Sequence, residues 1–110
     1  MGQLRLDLLE AYLCDHYGTE ASEQGLFMKL VEEVGEVAEL LNKRSGRKAE
    51  NGEDLSARLS EELADIIHYT VAIAAINQLD LTTAILEKDK TASIRYNHRI
   101  NLEQFLEEKD

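Results

Sequence analysis

Apolar residues recur along the chain at intervals of three and four, the period of an amphipathic helix and not the alternation of a half-buried strand. Leu6, Leu9, Leu13 and Tyr17 predict a first helix over about Gln3 to Tyr17, with Gly18 placed to end it as a left-handed cap. Ser22 is positioned to cap a second helix that extends to about Arg44. Its wheel puts Phe27, Leu30, Val34, Val37 and Leu41 on one side, Glu32, Glu36 and Glu39 roughly opposite, and Glu33 at the border. Ser45 to Glu53 holds two glycines and no large apolar residue, and reads as a connection. A third helix follows, capped by Asp54 or Ser56 and running to about Gln78. Asp80-Leu81-Thr82 opens a fourth that reaches the late nineties. Asn101 to Asp110 is left as a charged tail in which Leu102, Phe105 and Leu106 can dock on a helix or on a neighbouring subunit. The expectation is one all-α domain over residues 1–110, a four-helix bundle with its core motifs in about 22–99.

The third helix is apolar nearly all the way round from Leu63 to Ile76, which calls for burial on most sides. Three other helices of so short a chain cannot cover it, so the pattern predicts assembly, with a homodimer as the minimum and a homotetramer as the alternative. Glu62 and Asp65 project from the same sector as Ile66, Tyr69, Ile73 and Ile76. These acids therefore point where the rest of the helix expects protein, and carboxylates are rarely buried without a partner. On the second helix Glu33 and Glu36 are three residues apart and lean over one turn. Two such pairs on adjacent antiparallel helices converge across the interface, where like charges repel until a cation neutralises them. Ligation by carboxylate oxygens alone suits a hard ion, Mg2+ or in its place Mn2+.

Composition narrows the chemistry. Lys+Arg 12 against Asp+Glu 22 gives a formal net charge of -10 in 110 residues, which repels nucleic-acid backbone and excludes a nucleic-acid polymer as partner. A single cysteine, Cys14, rules out an intrachain disulfide framework and reads as a buried small hydrophobe. The opening residues lack the basic flank and apolar run of a signal peptide, and the longest weakly polar stretch is too short to span a bilayer, so a cytoplasmic protein without membrane attachment is expected.

The stretch Lys29-Leu30-Val31-Glu32-Glu33-Val34-Gly35-Glu36, followed by Glu61-Glu62-Leu63-Ala64-Asp65-Ile66-Ile67, resembles the MazG-like family of nucleoside triphosphate pyrophosphohydrolases, over about Phe27 to Arg99. The resemblance rests on the paired E-E-x-x-E and E-x-x-D motifs in the correct order. It implies an all-α hydrolase that cleaves the α,β-phosphoanhydride of a nucleotide to the monophosphate and pyrophosphate with Mg2+, in nucleotide-pool housecleaning. By motif position Glu33, Glu36, Glu62 and Asp65 are the metal ligands, and Glu32 positions or deprotonates the attacking water. The same family usually builds its active site from neighbouring subunits.

A triphosphate also needs cations, and Lys88, Lys90, Arg95 and Arg99 concentrate positive charge on the fourth helix, with Lys29 one turn before Glu33. Lys29, Lys88, Lys90, Arg95 and Tyr96 are the candidate substrate contacts, although the segment departs from the family's common Lys, Asn, Arg spacing. Tyr69 and Tyr96 read more simply as core. Asp65-x-x-His68 is half of a di-iron motif whose second half is missing, which leaves His68 as a hydrogen-bonded interior histidine or a group behind the metal ligands. Two rival functions stand beside the leading one: phosphoribosyl-ATP pyrophosphohydrolase, which the Ala64 to His68 stretch resembles slightly, and a noncatalytic, metal-stabilised helical oligomer.

Overall fold

The computed structural model describes residues 2–44 and 55–109. It is all-helical, with α1 (Leu6–Tyr17), α2 (Glu23–Arg44), α3 (Leu55–Ile76), α4 (Leu81–Arg95) and α5 (Leu102–Lys109). Helix α3 is the centre: α2 lies along one side of it and α1 along another, while α4 packs on α1 and α5. No single helix among the described residues is long and apolar enough to cross a membrane.

The ends of these helices follow local chemistry. Ser22 caps α2 through its Oγ, which accepts the Gly25 amide at 3.0 Å. Asp80 caps α4, accepting the Thr83 amide at 3.0 Å and the Thr83 hydroxyl at 2.8 Å. The predicted caps of α3 divide: Asp54 lies outside the described residues, as does the 45–53 connection, and Ser56 falls inside the first turn. Helix α1 begins at Leu6, later than expected, after an extended Arg5 whose guanidinium pairs with Asp7. Gly18 does end α1 with a positive φ of 60°, but its ψ of -148° is outside the left-handed helical well and in a region open to glycine almost alone.

Helices α3 and α4 stop in the same way. Gln78 and Asn97 take φ values of 57° and 58°, and the amides of Leu79 and His98 reach back to the carbonyls of Ala74 and Ser93. This stop cuts α4 at Arg95, short of the late nineties. Residues 102–109 form a helix where sequence suggested a tail. Asn101 Oδ1 accepts the Gln104 amide while Gln104 Oε1 accepts the Asn101 amide, each at 2.9 Å, a reciprocal capping box. Asp89 adds an acceptor for the Leu102 amide, and Lys90 pairs with Glu103 at 3.5 Å.

Core packing is confined to few side chains. Leu13, Leu26, Val71, Ala72 and Ala75 form the buried cluster, and Leu40 is buried farther along α2. The buried seam of α2 is Leu26, Leu30, Glu33, Val37 and Leu40, turned from the expected stripe; Phe27, Val34 and Leu41 are exposed. Its counterpart on α3 runs Leu55, Leu59, Glu62, Ile66, Tyr69, Ile73 and Ile76. Both seams step by four and three, the spacing of antiparallel helices packed along their length. Residues one position later, Phe27, Val31, Val34 and Leu41 on α2 with Leu63 and Ile67 on α3, share a single side of the hairpin and face outward; Phe27 and Ile67 are each 54% exposed. The radius of gyration, 17.2 Å, exceeds the roughly 13 Å of a compact domain of this length.

Candidate metal and nucleotide site

Glu33 and Glu62 occupy positions in the two seams that the helical period assigns to leucine-like residues. Packing therefore drives their stems into the α2–α3 interface and carries the carboxylates with them. One oxygen of each, Glu33 Oε2 and Glu62 Oε2, is buried with no hydrogen-bond partner. Asp65, one turn beyond Glu62 and at the solvent edge, completes the cluster: oxygens of Glu33, Glu62 and Asp65 lie within 4.8 Å of one another. Three acids this close, two of them with an orphaned oxygen, are an arrangement that a cation satisfies and that protein groups here do not.

Glu36 extends the cluster along the same edge. A hydrogen bond shared with Glu62, reinforced by the neighbouring negative charge, holds the Glu36 carboxyl above the ordinary glutamate value. Glu62 is likewise raised, first by its hydrogen bond with Glu33 and further by burial and the charges of Glu33 and Asp65. Carboxylates whose ionisation is opposed by one another are suited to a hard divalent ion, which supplies the missing counter-charge.

The other predicted residues are spread more widely. Glu32 is exposed on the rim and pairs with Lys29 at 3.5 Å. Lys88, Lys90, Arg95 and Tyr96 are not beside the acids. The chain turns by 109° between α3 and α4, at the end of α3 remote from Glu62, so α4 begins about 20 Å from Glu62 at 1.5 Å per helical residue. Lys90 is engaged by Glu103, and Tyr96, 65% exposed with the Arg95 guanidinium 5.7 Å from its ring centroid, is a surface residue and not core. Tyr69 is half-buried in the α3 seam, as expected of a core aromatic. Cys14 is exposed, contrary to its reading as a buried hydrophobe. It flanks a hollow of about 430 Å³ lined by Asp7, Glu10, Ala75 and Gln78, at the far end of α3 from the carboxylates.

For His68, read as an interior histidine or a group behind the metal ligands, the structure gives a partner: its Nε2 lies 2.6 Å from the Tyr17 hydroxyl, across α1 and α3. Sequence offered no signal for this pairing, because the residues are 51 apart and on helices whose relative rotation no local pattern fixes.

Known proteins resemble this chain in sequence and in fold. Residues 21–100 match the model of the MazG nucleotide pyrophosphohydrolase domain. The dCTP pyrophosphatase 1 of Rattus norvegicus is 40% identical over 77 residues, and that of Homo sapiens 41% over 76 residues. Each alignment covers 66% of this chain and 45% of the relative, so the chain spans less than half the length of these curated proteins. Among solved structures, iMazG from Vibrio DAT 722 superposes with a TM-score of 0.63 at 29% identity, covering 86% of this chain and 100% of the other.

Proposed function

Because the chain belongs to the MazG nucleotide pyrophosphohydrolase family, we propose that it hydrolyses a nucleoside triphosphate at the α,β-phosphoanhydride, releasing nucleoside monophosphate and pyrophosphate. The observation that carries this reading is the cluster of Glu33, Glu62 and Asp65 with two orphaned oxygens. Those residues, with Glu36 beside Glu62, would hold Mg2+, and the donor set of carboxylate oxygens fits that ion. When bound, the ion supplies charge neutralisation for the phosphates and for the oxygen that leaves.

The protein's own residues do the rest. Seam packing fixes the stems of Glu33 and Glu62, so the ligand oxygens are oriented before substrate arrives. Glu32, on the rim, orients and accepts a proton from the attacking water, for which it must exchange its ion pair with Lys29. Lys29, thereby released, can follow a phosphate oxygen. Lys88, Lys90 and Arg95 contribute from a second copy of the chain, since their own α4 begins about 20 Å along α3 from Glu62. The exposed apolar side of the α2–α3 hairpin is the surface on which that copy packs, in a homodimer or a homotetramer. Nucleotide-pool housecleaning in the cytoplasm is the setting this reading suggests, with Mn2+ an acceptable substitute ion.

The test is pyrophosphate release from canonical and modified ribo- and deoxyribonucleoside triphosphates, starting with dCTP because of the relatives' activity, with phosphoribosyl-ATP in the same panel. Metal-dependent release that disappears with chelator supports the reading. Turnover of phosphoribosyl-ATP alone would replace it with the histidine-pathway activity, and no turnover by a folded, metal-loaded oligomer would leave a structural assembly.

A further inference from the structure

The seams of α2 and α3 give the hairpin two sides. Residues one position after each seam make the exposed apolar side, and residues one position before make the other, because antiparallel helices turn their successive residues toward a common side. That second side carries Lys29, Glu32 and Glu36 from α2 with Arg58 and Asp65 from α3. Glu36 and Glu62 share a hydrogen bond and are therefore level with each other. Arg58, one helical turn before Glu62, lies about 6 Å farther along α3 at 1.5 Å per residue. Helix α1 covers this side of α3 in the opposite direction, from His68 to Ala75. Arg58 is exposed, and its charge reaches Glu36, where it favours the ionised carboxyl against the acids that raise it.

An arginine at this place supplies what α4 of the same chain does not. Lys88, Lys90 and Arg95 belong to a helix that begins about 20 Å from Glu62, and Lys29 is paired with Glu32 at 3.5 Å. We propose that Arg58 binds the β- and γ-phosphates of the nucleotide held by the acids of its own chain. This rests on the pyrophosphohydrolase reading and adds to it a phosphate contact that needs no second copy. Most of the negative charge of a triphosphate is on its last two phosphates, and a planar guanidinium meets two of their oxygens at once. Arg58 also stands on the flank of the acids that α1 leaves uncovered, where the anion has room to extend. In the ion-free protein Arg58 acts as counter-charge to Glu36; with the acids neutralised by an ion, that task lapses and the guanidinium turns to phosphate.

Two variants test the contact. Arg58→Ala removes the charge and the fork, and Arg58→Lys keeps the charge alone. The readouts are calorimetric binding of pyrophosphate and of dCMP with Mg2+ present, Mn2+ binding without any phosphate, kcat/KM for dCTP, and thermal unfolding. Expected for Arg58→Ala is a rise of about tenfold in the Kd of pyrophosphate, the scale of one charge-assisted contact, and an equal loss in kcat/KM, with dCMP affinity within about twofold of wild type. Mn2+ alone should bind about two- to threefold more tightly, because a repelling charge has gone. One substitution thus strengthens metal binding and weakens phosphate binding, opposite signs that damage to the hairpin does not produce. Arg58→Lys should fall between wild type and alanine. Unchanged pyrophosphate affinity in Arg58→Ala would overturn the proposal, as would an equal loss for dCMP, a fall in Mn2+ affinity, or a lysine variant as weak as alanine. Wild-type protein that binds no pyrophosphate and cleaves no nucleotide in the panel defeats the underlying activity, a result distinct from active wild type with indifferent variants.

Discussion

Replacing Leu13 by alanine probes whether α1 is an integral wall or a loosely attached arm. Leu13 is fully buried, and the groups around it on α3 are Val71, Ala72 and Ala75, with Leu26 from α2. Two of these neighbours are alanines, which have no longer rotamer with which to fill a hole; closing it requires moving helix against helix. Leucine-to-alanine changes cost about 3 to 5 kcal/mol where the site cannot collapse, and this site belongs in that part of the range, at about 3 to 4 kcal/mol. In a chain of 110 residues that corresponds to a fall in melting temperature of about 10 to 20 °C. The assay is urea unfolding followed by circular dichroism at one fixed protein concentration, since association adds to apparent stability. Mn2+ affinity, measured below the transition, should be unchanged, because the carboxylates are held by the α2–α3 seams. A loss under about 1 kcal/mol would refute the docking of α1. Loss of Mn2+ binding in the folded variant would refute the confinement of the metal site to the hairpin.

Glu62→Gln and Asp65→Asn should each abolish pyrophosphate release while far-ultraviolet circular dichroism stays near wild type; full activity in either removes the proposed metal site. Ile67→Lys places charge on the exposed apolar side and should convert the proposed oligomer to monomer by light scattering, with loss of turnover if a second copy supplies the α4 cations. Gln78→Gly relieves a side chain held at φ 57° and should stabilise the fold by up to about 1 kcal/mol in urea titrations. Asp80→Ala removes the α4 cap. The Asp80 pKa is lowered below 3.8, chiefly by the Thr83 amide, so its contribution is present above that value and lost as pH falls below it. The melting-temperature gap between variant and wild type should therefore be open at pH 7 and close progressively below about pH 4.

Much of this could be read before the fold was known, for identifiable reasons. Helices α1 to α4 are set by local spacing and by caps such as Ser22 and Asp80, whose chemistry lies within four residues. The acidic pairs were visible because Glu62 and Asp65 interrupt an apolar helix. What escaped depends on rotation between helices. The wheel of α2 is apolar over a wide arc, and only the position of α3 decides that Leu26 and Leu40 are inside while Phe27 and Val34 are out. Helix α5 was passed over despite a local signal, since Asn101-x-x-Gln104 is a capping box that the acidic composition of the tail obscured. The direction of α4, and with it the placement of Lys88 and Arg95, follows from a bend at residues 77–80 that no sequence period encodes.

The seam through α2 and α3 would be an ordinary coiled-coil interface but for Glu33 and Glu62. Leucine at those two positions would complete both repeats and remove the orphaned oxygens, giving a tighter hairpin with only Glu36 and Asp65 left at the proposed ion site. A library of this chain sorted for heat resistance alone should therefore accumulate leucine or isoleucine at residues 33 and 62 and become catalytically silent. On the proposed function, the two glutamates persist only where selection acts on chemistry.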